Sequence, residues 1–307
     1  MTLKHDKKRD INKPPESKGG NASLSTTFTL SNPEKILYPE DQITKQDLFN
    51  YYDTISDSIL PYLSQRPLTL VRCPDHYSQC FYQRHYNEST PKALHAIEIK
   101  SEDSSEQYIY LNDKAGLLSL IQMGVLEIHP WGSLISHLEK PDRIIFDLDP
   151  GPNVAWEKVI AAAFDVKEQL EHYKLTSFVK STGGKGLHVV IPIRPEYEWE
   201  KVKKFAYSFA QSLEKQKPND YVCTISKEKR QNKIFIDYLR NQWAATAIAN
   251  YSTRARIHAP IAIPLAWDEL SSHREDNYYT IKTVLKRLSH LKEDPWHDFW
   301  LIKQSIP

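Results

Sequence analysis

The alternation of apolar and polar positions divides this chain into many short segments that predict both helices and strands. Residues 1–25 are the exception, because Lys, Asp, Pro, Ser, Gly and Asn dominate them and large apolar side chains are almost absent. Such a segment cannot bury enough apolar surface to offset the entropy of ordering it. The pattern therefore predicts a flexible polar tail over residues 1–25 and a single folded domain over residues 26–307.

Helical periodicity is clearest where a capping signal precedes an apolar stripe. Thr44 and Asp47 have the spacing of a capping box, and apolar side chains follow on one helical face: Leu48, Tyr51, Tyr52, Ile55, Ile59 and Leu63. This predicts one helix with Pro61 at or just beyond its last turn. Asn153 is predicted to cap a second helix that extends to about residue 173. Other helices are predicted over residues 117–123, 199–215 and 280–291.

Strand-like runs, separated by polar turns, occupy much of the remaining chain. They are residues 68–72, 80–84, 94–99, 107–111, a run that ends at 129–132, and then 143–151, 177–180, 187–193 and 233–239. We find no internal repeat and no linker that would divide the chain. The order of elements predicts an α+β fold with mixed or antiparallel sheets and flanking helices, arranged as two lobes around one cleft.

Composition adds limits to this picture without defining a partner. The 307 residues carry a formal net charge of +1, so bulk charge neither supports nor excludes binding to nucleic acid. No segment resembles a membrane span or a secretory leader, since residues 1–20 are polar and lysine-rich. Three cysteines are too few for a disulfide scaffold, which agrees with a reducing compartment. We therefore expect a cytoplasmic protein without a membrane partner.

The first candidate for chemistry is the strand predicted over residues 143–151, which ends in two carboxylates and a Pro-Gly turn. Because strand side chains alternate between faces, Asp147 and Asp149 point the same way. Two close carboxylates in a poorly hydrated setting must bind a proton or share a cation, and hard oxygen ligands suit Mg²⁺ or Mn²⁺. The simpler alternative is a pair of exposed aspartates that close a strand before a turn.

A third acid, Asp237, lies in the apolar run 233–239. Burying a carboxylate in a strand is costly unless a cation or a basic side chain compensates it. One explanation is a buried salt bridge. The other is a site in which three acids from two strands hold two metal ions for phosphoryl transfer.

The glycine-rich segment 180–188 is predicted to form a turn between two strands. Its glycines let backbone N–H groups approach an anion, and Lys185 adds a positive charge. It is not a Walker A loop, because Gly186 and a strand follow Lys185 in place of Ser or Thr and a helix. The glycines alone would also suit a tight hairpin, but His188 at the start of the next strand is placed to hold a phosphate oxygen or a metal-bound group.

Aromatic and basic residues near the second strand resemble a stacking platform for single-stranded nucleic acid. Phe81 and Tyr82 are adjacent, with Arg72 and Arg84 nearby. Aromatic residues in strands more often belong to the core. Alternation therefore predicts that at most one of Phe81 and Tyr82 is exposed.

The remaining candidates each have an ordinary explanation. Four potential zinc ligands, Cys73, His76, Cys80 and His85, match no usual zinc motif, so we expect no zinc. His129, which precedes a proline and a tryptophan, is by itself best explained as a core histidine. Two basic clusters suit either a solvated face or contacts to phosphates: Lys227, Lys229, Arg230 and Lys233, and Arg254 with Arg256.

Taken together, these segments resemble the primase-like polymerase domain of bacterial ATP-dependent DNA ligase D, within the archaeo-eukaryotic primase superfamily. The similar segments, in order, are residues 30–35, 43–45, 66–70, 80–85, 127–132, 146–151, 181–188, 236–241, 245–255 and 264–270. No single motif is decisive. Their common order and spacing over most of the chain make the set specific, and the resemblance implies the catalytic core of that superfamily.

The resemblance also implies roles for particular residues. The metal-binding and catalytic acids would be Asp147, Asp149 and Asp237. Contacts to the incoming nucleotide would come from His129, Thr182, Lys185, His188, Arg230 and Arg254. The 5′-phosphate of a downstream DNA strand would be held by Lys35 and Lys45, and the template or other DNA would be contacted by Arg72, Phe81 and Tyr82.

The function implied by the resemblance is template-dependent nucleotidyl transfer with two Mg²⁺ or Mn²⁺ ions. The family extends primers at gaps and broken DNA ends in non-homologous end joining, usually with ribonucleoside triphosphates, and often with bacterial Ku and a ligase domain or separate ligase. Three alternatives remain at this point: a stand-alone primase outside end joining, a non-catalytic DNA end-binding module, and a phosphatase of the haloacid dehalogenase type. The last also begins with Asp-x-Asp after an apolar strand, but it requires Thr or Val where Gly151 stands.

Overall fold

The computed structural model describes residues 29–100, 105–270 and 279–307. The predicted tail over residues 1–25 lies outside these ranges and stays a prediction. Residues Ser31–Pro307 form one compact unit. Within the described ranges, no helix combines the length and the apolar character needed to cross a membrane.

Both strands and helices occur along the chain, as the pattern predicts. The strands are β1 (Ile36–Tyr38), β2 (Ile43–Thr44), β3 (Leu68–Arg72), β4 (Phe81–Gln83), β5 (His95–Lys100), β6 (Ser105–Tyr110), β7 (Val125–Pro130), β8 (Arg143–Pro150), β9 (Phe178–Ser181), β10 (Leu187–Pro192), β11 (Tyr221–Val222), β12 (Ile234–Asp237) and β13 (Pro264–Leu265). The α-helices are α1 (Lys45–Thr54), α2 (Ser56–Leu63), α3 (Lys114–Gln122), α4 (Trp156–His172), α5 (Trp199–Gln216), α6 (Trp267–Leu270) and α7 (Val284–His290).

Two of the sheets matter for the site. The larger has six strands in the order β11-β12-β8-β10-β9-β13, and β8 pairs antiparallel with both of its neighbours. The smaller has the order β4-β3-β7, also antiparallel. The α+β class with antiparallel sheets and flanking helices is therefore confirmed.

The core determines which way β8 presents its side chains. Ile144, Phe146 and Leu148 are fully buried, and Phe146 stacks on Phe209 of α5 with ring centroids 4.6 Å apart. Because successive strand residues point to opposite faces, the residues between these apolar ones face away from the helix. The apolar half of β8 thus anchors the strand, and its other half faces the cleft described below.

The helix predicted from the capping box is two helices. The capping box is confirmed, because the Thr44 side chain accepts from the Asp47 backbone and Asp47 accepts from the Thr44 backbone. However, α1 ends at Thr54, whose hydroxyl donates to the Asn50 carbonyl at 2.8 Å, and α2 follows after Ile55. Such back-bonding to the preceding turn bends helices. Pro61 lies in the last turn of α2, as predicted.

The predicted cap of α4 is wrong. Asn153 has a left-handed backbone with φ of 64°, and the Gly151 carbonyl accepts from the Val154 N–H at 3.3 Å. These residues close a turn, so the helix begins later, after Ala155, which provides no side-chain cap. An N-cap needs an extended backbone, which the turn denies to Asn153.

The expectation of reduced cysteines also differs from the structure, in which Cys73 and Cys80 form a disulfide. Arg72 and Phe81 are paired across β3 and β4, so the residues just beyond them face each other with Cα atoms 4.2 Å apart. Cysteine counting overlooks this proximity because cross-strand register creates it. Because their sulfur atoms are bonded to each other, Cys73 and Cys80 are not available as the zinc ligands considered above.

Candidate active site

The three acids predicted to work together share one face of the large sheet. Asp147 on β8 lies directly opposite Asp237 on β12 and opposite His188 on β10. Asp149 lies two residues further along β8, on the same face. Cross-strand partners project to the same side of a sheet. The geometric expectation that Asp237 converges with Asp147 and Asp149 is thus met, although Asp237 is the last residue of its strand and not a central one.

Basic side chains already neutralise these carboxylates. The Arg240 guanidinium lies 3.1 Å from Asp147 Oδ2 and 3.5 Å from Asp237 Oδ2. Arg230 lies 3.3 Å from Asp149 Oδ2 and stacks on the Phe235 ring at 3.8 Å. The salt-bridge alternative for Asp237 is therefore real in this structure. It does not exclude the metal alternative, because an ion and an arginine can compete for the same carboxylate oxygens.

The electrostatic surroundings shift the pKa values of the three acids in different directions. Burial by itself would raise the pKa of Asp147, but His188 at 3.4 Å and Arg240 outweigh it, and the pKa lies well below its usual range. Burial raises the pKa of Asp237 and of Asp149, and the charge of Asp147 adds to both shifts. Burial lowers the pKa of His188 to about 4. At neutral pH, His188 is therefore neutral beside an ionised Asp147.

The donor chemistry fits a hard divalent cation, since three carboxylates meet on one face. The arrangement itself is not a finished cage: among the described residues, no group of three or more His, Cys, Asp or Glu side chains is placed to hold a metal ion as it stands. Arg240 bridges Asp147 and Asp237 instead. Moreover, His188 Nδ1 is buried and has no hydrogen-bond partner within the described part of the chain. An orphaned buried nitrogen beside these acids suits a further ligand.

The glycine-rich turn forms one wall of a cleft of roughly 490 Å³ above the acids. Gly183 has a φ of +62°, and a Cβ on Gly186 would lie only 2.3 Å from the Leu148 carbonyl oxygen of β8. Glycine is therefore required for the turn to pass so close to β8. This approach brings Thr182 and the exposed Lys185 into the cleft wall.

A hydrogen-bonded set built on β7 adjoins the glycine-rich turn. Glu127 lies 2.8 Å from His129 Nε2, accepts from the Ala255 N–H at 2.9 Å, and lies 3.0 Å from Arg254 Nε. Burial opposes the ionisation of Glu127, but His129 and Arg254 lower its pKa to about 2. Arg254 also donates to the Thr182 carbonyl at 2.6 Å. His129 lines the cleft and so is not a purely internal histidine.

The cleft as a whole is suited to a polyanion. Four basic side chains line it, against the two carboxylates Asp147 and Asp149: Lys185, Arg240, Arg254 and Arg256. Convergent positive charge in a concave site favours phosphate groups. Asp237 and Arg230 are not part of the lining, although both contact the acidic cluster or its counter-ions.

The two lysines predicted to hold a 5′-phosphate lie outside this cleft, and they differ from each other. Lys45 is buried, and its Nζ donates to three oxygens: Ser31 O at 3.0 Å, Gln122 O at 2.9 Å and Gln122 Oε1 at 3.2 Å. Burial and the nearby Lys35 lower its pKa. Lys35 is more accessible and pairs with Asp75 at 2.8 Å. The β1–β2 pairing joins the two lysines, since Lys45 N donates to Lys35 O.

The predicted alternation at Phe81 and Tyr82 is wrong, because both side chains are exposed, at 48% and 75%. The reason is that β4 is a three-residue edge strand whose two faces both remain largely uncovered. Arg72 lies over the Phe81 ring at 5.3 Å and donates to the Gln83 amide oxygen at 2.8 Å. We call Arg72, Phe81 and Tyr82 the edge hairpin, and none of these three residues lines the cleft.

Sequence reasoning assigned no role to Arg240 or Glu127, and it considered Arg256 only as part of a basic pair with Arg254. Arg240 follows Asp237 by one short turn, Arg256 follows Arg254 at alternate spacing, and Glu127 precedes His129 by two residues on the same strand. Each of them lies within three positions of a residue already predicted to belong to the site. These spacings do not identify the more distant partners, because Asp147 and Arg254 lie on other parts of the chain from Arg240 and Glu127.

Comparison with known proteins agrees with this architecture. The family model for the LigD primase-polymerase domain matches residues 44–296. The multifunctional non-homologous end joining protein LigD of Pseudomonas aeruginosa is 30% identical over 292 residues, which cover 94% of this chain and 35% of that protein. The bifunctional non-homologous end joining protein LigD of Bacillus subtilis is 30% identical over 277 residues, or 89% of this chain and 44% of that protein.

A solved structure is similar over nearly the whole fold. It is the polymerase domain from Mycobacterium tuberculosis ligase D in complex with DNA, with a TM-score of 0.83 and 28% identity, covering 91% of this chain and 99% of the other. The antiparallel sheets and the acid-floored cleft thus define a primase-like α+β domain. The chain belongs to the LigD primase-polymerase domain family. It spans about a third of the length of its Pseudomonas relative.

Proposed function

We propose that this protein is a DNA-directed nucleotidyltransferase that extends primers at gaps and broken ends, with nucleoside triphosphates as substrates. One observation carries the proposal: the sheet register sets Asp237 and His188 on either side of Asp147, at the floor of a cleft with an excess of basic side chains. Membership of the LigD primase-polymerase family supports the same reaction.

The acids would hold Mg²⁺ or Mn²⁺ through Asp147, Asp149 and Asp237. Two bound ions would activate the primer 3′-hydroxyl and neutralise charge on the reacting phosphate. For the acids to act as ligands, Arg240 and Arg230 must yield the carboxylate oxygens that they contact, and the triphosphate offers both arginines alternative anionic partners. This exchange would give the carboxylates positively charged partners both before and after the substrate binds.

The cleft walls would position the nucleotide. Lys185, Arg254 and Arg256 would bind phosphate oxygens, and the buried His188 would offer its unpartnered Nδ1 to the same group. Glu127 would act as a positioning residue, because it orients both His129 and Arg254. In phosphoryl transfer, most of the catalytic effect comes from such positioning and charge stabilisation.

The wider setting follows from the relatives. Both LigD proteins compared above are named for non-homologous end joining, and the solved polymerase domain was captured with DNA. We propose that this chain acts in the same process in the cytoplasm, on DNA with a 5′-phosphate. Bacterial Ku and a ligase, either as a separate protein or as part of the same polypeptide, would be its partners, and ribonucleotides its preferred substrates.

Primer extension on a gapped duplex tests this function. The wild-type protein with Mn²⁺ and ribonucleoside triphosphates should extend the primer by templated residues, and Asp147→Ala should not, while still binding DNA. Release of inorganic phosphate without extension would instead indicate a phosphatase. DNA binding without any extension by the wild type would indicate a non-catalytic end-binding module.

The two lysines can be tested on the same substrate, with and without a 5′-phosphate on the downstream strand. Lys35→Ala should abolish the preference for the phosphorylated gap, because Lys35 can exchange Asp75 for a phosphate. Lys45→Ala should in addition lower the melting temperature, because it removes a buried side chain that donates to the Ser31 and Gln122 carbonyl oxygens. An unchanged preference in both variants would remove the lysines from the assignment. Lys303→Ala, far along the chain, is the matched control.

A further inference from the structure

A small, partly enclosed cavity lies behind the wall of the active-site cleft. Its volume is roughly 20 Å³, which accommodates a single small molecule or ion. Its lining includes Trp131 from the loop after β7, Arg143 at the start of β8 and Lys180 on β9. These three side chains are buried, with exposures of 1%, 7% and 3%.

The polar atoms around this cavity are poorly satisfied. Trp131 Nε1, Arg143 Nη2 and Asn250 Nδ2 are buried and have no hydrogen-bond acceptor in the part of the chain that the structure describes. Most buried donors in folded proteins are paired with protein, water or an ion, so three unpartnered donors at one cavity need an explanation. Tryptophan, arginine and lysine side chains have no acceptor atom of their own. What is missing is therefore an acceptor.

The charges of the side chains around the cavity also favour a negatively charged ligand. No Asp or Glu is among the residues that line the cavity, whereas Arg143 and Lys180 both are. Arg143 pairs through Nε with Asp142 at 2.9 Å, and Lys180 donates to the Ile248 carbonyl oxygen, which is uncharged. Burial, with Arg143 and Arg254 nearby, lowers the pKa of Lys180 well below its usual range. A negative charge in the cavity would offset the cost of burying these groups.

We propose that the cavity is a binding site for a single halide-sized anion, with chloride as the ligand in the cell, held by Trp131 Nε1, Arg143 Nη2 and the Lys180 ammonium group. A water molecule fits the volume but not the chemistry as well, because it accepts only two hydrogen bonds and carries no charge. A phosphate or carboxylate is too large for the cavity.

The position of this site gives it a connection to the cleft. Ala247 and Ile248 line the cavity on one side and the active-site cleft on the other. The Ile248 carbonyl is fixed by Lys180, so an anion that holds Lys180 also holds this segment of the cleft wall. The anion would thus support the shape of the site without touching the substrate.

Bromide provides a direct test, because it replaces chloride and scatters anomalously. Crystals of the full chain grown in sodium bromide should show one buried anomalous peak within hydrogen-bonding distance of Trp131 Nε1 and Arg143 Nη2. Electron density for a water molecule there, with no anomalous signal, would overturn the proposal. This result does not depend on any variant folding correctly.

Thermal unfolding supplies an independent test in solution. At equal ionic strength, the melting temperature should be about 2 °C higher in sodium chloride than in sodium gluconate, whose anion cannot enter the cavity. Trp131→Phe, which keeps a ring but removes the donor, should lose most of this difference. Trp267→Phe makes the same chemical change at an indole that donates to the Ser177 carbonyl, so it should keep the difference. Equal melting temperatures of the wild type in both salts would contradict the site.

Discussion

The floor of the cleft and the edge hairpin hold their functional side chains in opposite ways. Asp147 has a side-chain exposure of 14% and is fixed by His188 on one neighbouring strand and by Arg240. Tyr82 is 75% exposed on a short edge strand. In the first region the fold itself neutralises the charges. In the second, apolar surface remains available to a partner.

This difference indicates that the two regions contribute to different steps. Charges held in register can stabilise a transition state, because they need no reorganisation when the reaction occurs. Exposed aromatic rings gain contact area only on binding, so they contribute to affinity. Changes in the cleft should therefore alter catalysis or the pH response of the fold, and changes in the hairpin should alter DNA binding.

The largest effect is expected from Asp237→Asn, which keeps the shape of the side chain but removes a negative charge beside Asp147. We expect primer extension to fall by roughly 10³-fold or more, because metal-assisted charge stabilisation is worth several kcal/mol. DNA affinity should remain unchanged in a gel-shift titration. Asp53→Asn, a surface acid paired with Lys114 at 2.8 Å, is the control and should keep full activity. If the Asp237→Asn enzyme remained active, this acid would not be needed for catalysis, and the division of roles between the cleft and the edge hairpin would be wrong.

The free energy of unfolding should depend on pH through His188. Burial lowers the pKa of His188 from its ordinary 6.5 to about 4, so between these values the unfolded chain binds this proton and the folded protein does not. The contribution of His188 to stability is therefore complete above pH 6.5 and is lost as the pH falls towards 4. Over this window the free energy of unfolding should decrease by up to about 3 kcal/mol on account of this group.

Urea unfolding at pH 7 and pH 4.5 measures this effect, and His188→Gln should show a smaller decrease than the wild type. His85→Gln, at the isolated bridge that follows the edge hairpin, should retain the wild-type decrease because that side chain is about half exposed. Equal pH responses in the wild type and His188→Gln would show that the cleft floor does not bury a neutral histidine.

A smaller effect is expected on one wall of the cleft. Arg254→Ala removes a side chain that joins Glu127 to the Thr182 carbonyl and lines the cleft. We expect the KM for the nucleoside triphosphate to rise roughly 30-fold, the usual cost of losing a charge-assisted hydrogen bond, with a weaker change in kcat. Steady-state kinetics separates the two constants. Arg194→Ala, an exposed arginine paired with Glu196, should change neither. A fall in kcat alone would assign Arg254 to catalysis instead of binding.

The smallest effect is expected at the edge hairpin. Tyr82→Ala should weaken binding to gapped DNA about 10-fold, since one base loses a stacking partner, and should leave kcat at saturating DNA unchanged. Fluorescence anisotropy gives the affinity, and Leu301→Ala, an equally exposed apolar residue, is the control. Loss of kcat in Tyr82→Ala would mean that the hairpin takes part in the chemical step, and the two regions would no longer be distinct.

Much of the fold and of the candidate site follows from local pattern. The capping box at Thr44, the strand that ends in Asp147 and Asp149, and the glycine-rich turn before His188 all depend on residues a few positions apart. Predictions from local pattern were wrong where another part of the fold determined the conformation or the exposure of a residue. Asn153 lost its capping role to a turn closed by Gly151, and Tyr82 and Phe81 are both exposed because β4 lies at a sheet edge.

The sequence by itself determined the kinds of groups present and the faces on which they lie, because side-chain alternation is a property of the local backbone. Only the tertiary structure decided which charges meet. Arg240 neutralises Asp147 from 93 positions away, and Glu127 joins Arg254 across 127 positions. Electrostatic energy depends on distances between atoms in space, and those distances are established only when strands from separate parts of the chain pair in one register.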